Sequence, residues 1–302
     1  MHRGDPLGAS TLSRDVLTTR WMCPTCREER STHFCGRCGE KRLDHHDLTV
    51  AGLVGHALES VTHVDGRVFR SIRDLAIRPG TLTAAYMRGQ RKLYFAPFQI
   101  FLVTNVLFFV LQSALGFQVL SNDLGSHIGT WKGSGAQVYS AIARPIAERR
   151  LAATGRTIEQ YTDVFNHAVR VNAKGLVVAM VPMVGLVLLA SFPRARYPVT
   201  TAMVLALHFL AFFLLLETLL MPLLGIPAGW LLSRLSVWWL WDPLFSAVLM
   251  AVCAGWIYKA SRVVYGASAT SAALKAAAIV GLFLPVIICY RFIVFLVTLF
   301  TT

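Results

Sequence analysis

Five stretches of this chain are each long and apolar enough to cross a bilayer, and that limits the fold more than any other feature. A helix spanning the hydrocarbon core needs about 20 predominantly apolar residues. Residues 97–117 supply 21 without a single charge. Residues 175–192 are interrupted only by Pro182, which a membrane helix tolerates. Residues 199–224 carry His208 and Glu217, residues 237–258 carry Asp242 near their start, and residues 276–302 carry Arg291. The expected fold is an all-α integral membrane protein with five transmembrane helices. The third span is expected to be tilted or broken, because Pro222 and the GIPAG turn at 225–229 lie at its end. Only 15% of the residues are charged, against about 25% in a soluble domain, and the apolar residues are clustered. That excludes disorder, a collagen-like repeat and a small disulfide scaffold.

The charges are as unevenly placed as the apolar residues. Residues 1–95 hold 15 of the 29 Lys and Arg, whereas 176–302 hold seven. Positive residues in short loops mark the cytoplasmic side. The short connections carry Arg194 and Arg196 in one case, and Lys259, Arg262 and Lys275 in the other. Both fall on the same side as the N-terminal segment. The expectation is a bacterial inner (plasma) membrane protein with its N-terminus cytoplasmic, its C-terminus external and a long external loop at 118–174. Within that loop, residues 136–153 and 157–171 look helical. Trp230, Trp238, Trp239 and Trp241 gather at the external boundary as an aromatic belt. No apolar leader with a cleavage site opens the chain, so the N-terminus is expected to remain attached.

Ahead of the first span, four of the six cysteines form Cys23-Pro-Thr-Cys26 and Cys35-Gly-Arg-Cys38. Two CxxC knuckles place four thiolates to close a tetrahedron around Zn2+, with Gly36 and Gly39 permitting tight turns. A disulfide or redox reading needs an oxidising compartment or a thioredoxin-like context, and neither is indicated. Such a site is closed to substrate, so its zinc is structural. His33 is a substitute ligand that four cysteines leave without a place. Cys253 and Cys289 read as small core residues of the spans. The expected organisation is a flexible N-terminus (1–20), a cytosolic zinc ribbon (21–42), basic amphipathic juxtamembrane helices (43–96) and a transmembrane domain (97–302).

Between ribbon and membrane the apolar spacing becomes helical. Val50, Leu53, Val54, Ala57, Leu58 and Val61 form one stripe, N-capped by Asp47 or Thr49. Val68, Phe69, Ile72, Leu75 and Ala76 form a second stripe, stopped by Arg78-Pro79-Gly80. A third short helix runs from Leu82 to Arg88. Arg67, Arg70, Arg73, Arg78, Arg88, Arg91 and Lys92 face one acid, Asp74. This basic collar suits anionic lipid headgroups, where each cation contributes about 1 kcal/mol, and it also serves to orient the chain. Nucleic acid is a poor partner, because the excess charge is juxtamembrane and the ribbon's Arg27, Arg30 and Arg37 are offset by Glu28 and Glu29.

The two knuckles, Arg78-Pro79-Gly80, Tyr86, Gly89-Gln90-Arg91-Lys92, Tyr94 and Pro97-Phe98 together resemble a bacterial membrane family, domain-of-unknown-function family 3667. The resemblance covers about residues 23–98. Gly39-Glu40 stands where Gly-Gln is expected, a difference with no effect on metal binding. The resemblance implies an integral membrane protein with a zinc-ribbon head, and brings no activity or catalytic residue.

Ionisable groups inside spans usually face a partner or a cavity. At 1.5 Å per residue, Glu217 lies about 27 Å and Arg291 about 22 Å from the inner side, and Asp242 about 7 Å below the outer surface. Glu217–Arg291 is the expected pair, with Asp242 an alternative partner and His208 extending the cluster inward. A charge swap is then expected to restore the folded yield that either single change loses. No HExxH, GxSxG or paired intramembrane aspartates occur, so the chain is read as non-enzymatic. The reading is a multi-pass inner-membrane protein whose zinc head recruits or senses a cytosolic protein partner. The alternative is a small-solute or ion transporter using the outer-leaflet charges. Five spans do not divide into inverted halves, so that alternative would need a homo-oligomer.

Overall fold

A computed structural model describes residues 20–44, 47, 49, 53, 66–116, 119–130, 136–193 and 199–302, apart from the side chains of Trp238 and Asp242. The stripe expected between Val50 and Val61 lies outside the described residues except at Leu53, as do Arg194 and Arg196. The ribbon contributes one short antiparallel pair, β1 (Trp21–Met22) with β2 (Glu29–Arg30), in which Trp21 faces Arg30. Apart from a single bridge between Phe34 and Lys41, the regular elements that follow among the described residues are helices. Among the elements described in full, α1 (Arg67–Ile77) and α2 (Thr81–Met87) are short helices ahead of the first apolar helix, α3 (Pro97–Leu115). The small helix α4 (Leu124–Ile128) and α5 (Ser140–Thr154) follow. Then come α6 (Ile158–Leu176), α7 (Met180–Ser191), α8 (Val199–Leu220), α9 (Ile226–Arg234), α10 (Trp241–Tyr265) and α11 (Ala269–Thr301).

Five helices are long and apolar enough to cross a membrane, as the hydropathy pattern predicts. Their limits differ from the expected ones. The second runs unbroken from Ile158 to Ser191, because α6 passes into α7 through a tight turn at Val177–Ala179. Gly175 costs only about 1 kcal/mol in a helix, and Pro182 falls in the first turn of α7, so neither ends it. The segment expected as a separate external helix at 157–171 is therefore continuous with this helix. The third continues to Arg234, since a π-helical turn at Met221–Gly225 absorbs Pro222. Pro227 then falls in the first turn of α9, where its missing N–H costs nothing. The turn expected at 225–229 is accordingly helix. The fifth begins at Ala269, seven residues before the apolar run, capped by the Ser268 hydroxyl accepting from the Ser271 N–H.

The third helix is the axis of the bundle. Its apolar window is 83% buried, against 33–39% for the other four. It packs on α3, α7, α2 and α10, while α11 closes the other side against α10, α6 and α7. Phe209 and Phe213 of α8 meet Phe283 of α11 edge to face at 5.0 Å, and Phe212 stacks on Trp256 of α10 at 5.2 Å. Cys253 is buried in this packing, but Cys289 is exposed and faces outward from α11, so it is not a core residue. At the far end, α9 buries none of its residues. Trp230 and Trp239 are both 62% exposed there, as befits an interfacial aromatic belt.

Candidate metal centre

The two knuckles have the same backbone. In the first, Arg27 N–H donates to the Cys23 carbonyl (2.9 Å) and Cys23 N–H to the Glu28 carbonyl (2.9 Å). In the second, Gly39 N–H donates to the Cys35 carbonyl (2.8 Å) and Cys35 N–H to the Glu40 carbonyl (2.8 Å). Each turn ends on a residue with left-handed backbone, Arg27 (φ 59°) and Gly39 (φ 72°). These equivalent turns aim four thiols at one point: the Sγ atoms of Cys23, Cys26, Cys35 and Cys38 all lie within 4.8 Å of one another. Cys23–Cys38 and Cys26–Cys35 are 3.5 Å apart, and none is in a disulfide. A tetrahedral ion with bonds of about 2.3 Å holds its sulfurs about 3.8 Å apart, so the donor set fits one cation. The Cys38 backbone N–H holds the Cys35 thiol down to about 6, while desolvation pushes Cys38 up to about 12. His33 is outside this cluster; its Nε2 lies 3.8 Å from Asp44.

The ribbon is anchored to the bundle rather than tethered to it. Glu40 is 1% exposed. Its carboxylate accepts the Thr25 hydroxyl (2.7 Å) from the first knuckle, and the backbone N–H groups of Arg91 (3.2 Å) and Lys92 (3.1 Å) from the segment leading into α3. Gln90 Nε2 donates to the Pro24 carbonyl at 2.6 Å. Arg91 pairs with Asp47 at 3.2 Å and lies 5.2 Å over the Tyr86 ring. The Gly39-Glu40 difference leaves the four thiols undisturbed, but Glu40 joins metal centre to membrane domain. CxxC spacing alone does not single out this glutamate. The available signal was that both knuckles read C-x-x-C-x-E, with Glu28 holding Arg30 and Arg37 in the first.

The juxtamembrane helices are in turn set into the bundle. Trp256 Nε1 donates to the Leu75 carbonyl (2.8 Å) and Thr83 Oγ1 lies 2.8 Å from His208 Nδ1. Gly80 (φ 83°) lies against α10 so closely that a Cβ there would meet the Ala260 Cα at 2.9 Å. The second apolar stripe was expected to be the packed face of α1. Of that stripe Leu75 is buried and Val68 and Ile72 are half-buried, but Phe69 and Ala76 are exposed, and the polar Ser71 and Asp74 are buried in their place. Polar partners explain this. The Ser71 hydroxyl accepts the Phe95 N–H (3.0 Å), and Asp74 accepts the Tyr94 hydroxyl (2.9 Å) and pairs with Arg73 (2.9 Å). Of the basic collar, Arg70, Arg73, Arg78, Arg88 and Lys92 are exposed, Arg67 is half-buried 5.8 Å over the Phe95 ring, and Arg91 is the internal link to Asp47.

Of the expected intramembrane cluster, Glu217 and Arg291 act on one another electrostatically without forming an ion pair. Arg291 donates to the Val119 carbonyl (2.7 Å) and the Gln137 side chain (3.4 Å), so it fastens the segment after α3 and has no ion pair with Glu217 among the described residues. His208 turns towards Thr83. Nine residues separate it from Glu217, two and a half turns, which places the two on opposite faces of α8. Asp242 is within α10, and its side chain lies outside what is described.

Fold and site together define a multi-pass helical protein of membrane type with a four-cysteine centre able to hold a metal ion. A family model described as Protein of unknown function (DUF3667) matches residues 65–109, bearing out the resemblance over α1, α2 and most of α3. Those are the elements that carry Gly80, Thr83 and the Glu40-binding loop. No curated protein and no solved structure matches the chain.

Proposed function

We propose that this is a bacterial inner-membrane scaffold in which a structural Zn2+ ribbon, fixed on the cytoplasmic face, recruits or senses a protein partner. The observation that carries this reading is the Glu40 carboxylate bridging the two knuckles to Arg91 and Lys92. A ribbon held at a set angle presents a constant surface, and Met22 (69% exposed) and Phe34 (58% exposed) lie on it. Exposed apolar residues on a small metal-stabilised head suit a protein contact. The basic collar and the cations of the short loops support the N-inside orientation. The test is a photocrosslinking residue at Phe34 in cells. A discrete adduct is expected, and it should disappear both in Cys23→Ser with Cys35→Ser and in Glu40→Ala, although Glu40→Ala keeps its zinc. An adduct that survives both changes would refute recruitment by the ribbon.

A transport reading has one observation in its favour. Glu217 is 1% exposed, and its Oε2 has no hydrogen-bond partner among the described residues. Solute or ion flux in liposomes that vanishes in Glu217→Gln would displace the scaffold reading.

A further inference from the structure

The ribbon end of the bundle contains a cleft that neither the metal centre nor the anchoring of α1 and α2 accounts for. Its volume is about 710 Å³, and it opens between the α1–α2 turn and the last two turns of α10. Three cations line it, Arg78 from the turn and Lys259 and Arg262 from α10, with Tyr258 beside them and no acidic residue in its walls. All three cations are exposed, and none has a carboxylate within ion-pair distance among the described residues. Arg262 is oriented by Tyr258, whose hydroxyl accepts from its guanidinium at 3.4 Å.

The cleft also has an apolar flank. Ile77 and Val263 line it, and they are 63% and 52% exposed. Beside it the α1–α2 turn is seated closely on α10, where a Cβ at Gly80 would meet the Ala260 backbone at 2.9 Å. Like charges collected around a cavity repel one another unless an anion joins them. An Arg fork binds phosphate through paired N–H groups and a Lys adds a compact charge. Apolar side chains next to such a group, at the end of membrane-crossing helices, belong where headgroup meets acyl chain. Basic pockets between transmembrane helices take phospholipid headgroups in this way.

We propose that this cleft is a binding site for one anionic phospholipid, its phosphate held by Arg78, Lys259 and Arg262 and its acyl chains lying over Ile77 and Val263. The site rests on the membrane reading of the five helices and is independent of whether the ribbon recruits a partner.

The test uses the full chain in nanodiscs of mixed phosphatidylglycerol and phosphatidylcholine, with retained lipids counted by native mass spectrometry. The wild type should retain one phosphatidylglycerol in preference to phosphatidylcholine. Arg78→Gln, Lys259→Gln and Arg262→Gln together should lower that preference by roughly tenfold or more, as expected for three cations at a lipid surface. The charge-keeping set Arg78→Lys, Lys259→Arg and Arg262→Lys should retain most of it and shows that the fold survives. Arg144→Gln, Arg149→Gln and Arg150→Gln, on α5, should leave it unchanged. The proposal fails if the glutamine set keeps the wild-type preference, if the α5 set loses it equally, or if inorganic phosphate displaces the lipid at matching concentration.

Discussion

Thr83 and His208 lie 2.8 Å apart, Oγ1 to Nδ1, and both are at most 2% exposed. This one bond joins a helix that precedes the first span to the helix at the centre of the bundle. A hydrogen bond deep in an apolar setting is expensive to leave half-made, about 1–3 kcal/mol for the stranded partner. Thr83→Val should therefore lower the midpoint of thermal unfolding in detergent, followed by tryptophan fluorescence, while Thr83→Ser should hardly move it. Equal midpoints for both variants would mean that the bond contributes nothing.

Gly80 and Gly89 both have left-handed backbone, φ 83° and 85°, yet their surroundings differ. A Cβ at Gly80 meets the Ala260 backbone at 2.9 and 3.0 Å, whereas at Gly89 it meets the flexible Leu43 side chain at 3.5 Å. Gly89→Ala should show only the conformational penalty, about 1 kcal/mol. Gly80→Ala adds a clash between two backbones that cannot yield, and should lose most of the folded yield on size-exclusion chromatography.

At the metal centre, the protein as purified should carry one zinc per chain by elemental analysis, and Cys23→Ser or Cys35→Ser should lose it. The ligands bind as thiolates, so affinity falls as pH falls and protons compete for them. Glu40→Ala should keep the metal. Its effect belongs at Arg91 and Lys92, whose amides lose a charged acceptor worth about 1.5–3 kcal/mol. Their hydrogen exchange should then quicken by roughly 10- to 100-fold. Metal loss in Glu40→Ala would make the glutamate part of the centre itself.

His127 gives a pH dependence at the far end. It is buried among Tyr139, Phe165 and Phe295. The Asn122 carbonyl accepts from Nε2 (3.1 Å), so Nδ1 is left to accept the Tyr139 hydroxyl (2.8 Å) in a neutral ring. Burial lowers its pKa from 6.5 to about 4, with the Arg291 charge adding to the effect. Because the folded form resists the proton, this contribution is complete above 6.5. It declines as pH drops towards about 4 and is level below that, amounting to about 3 kcal/mol at most. Thermal midpoints should fall between pH 7.5 and 5, and by less in His127→Gln. An unchanged slope in that variant would assign the effect elsewhere.

Arg291 holds the Val119 carbonyl and Gln137, so the swap of Glu217→Arg with Arg291→Glu should not restore what Arg291→Glu loses. Recovery of the folded yield would require a pairing of Glu217 with Arg291 that the present geometry does not contain.

The elements most legible in the sequence were those defined locally. The four cysteines, the stop at Arg78-Pro79-Gly80 and all five apolar helices follow from spacing and composition. The limits of the helices were less legible, because a π-helical turn and a Ser268 cap carry helix past the apolar runs. Which residues meet was hardly legible at all.

What the sequence determined by itself was that the chain crosses a membrane as helices and bears a four-cysteine cluster ahead of them, because backbone hydrogen bonding in hydrocarbon and paired CxxC spacing leave few alternatives. Only the tertiary structure decided that Val199–Arg234 is the axis and that α1 turns Ser71 and Asp74 inward. It also decided that His208 meets Thr83, that Arg291 meets Val119, and that Glu40 anchors the ribbon. The physical reason is that lipid is as apolar as a protein interior. An enclosed helix and a lipid-facing one such as Ala269–Thr301 therefore look alike in composition. Their difference lies in polar contacts between residues far apart in the chain, which hydropathy does not record.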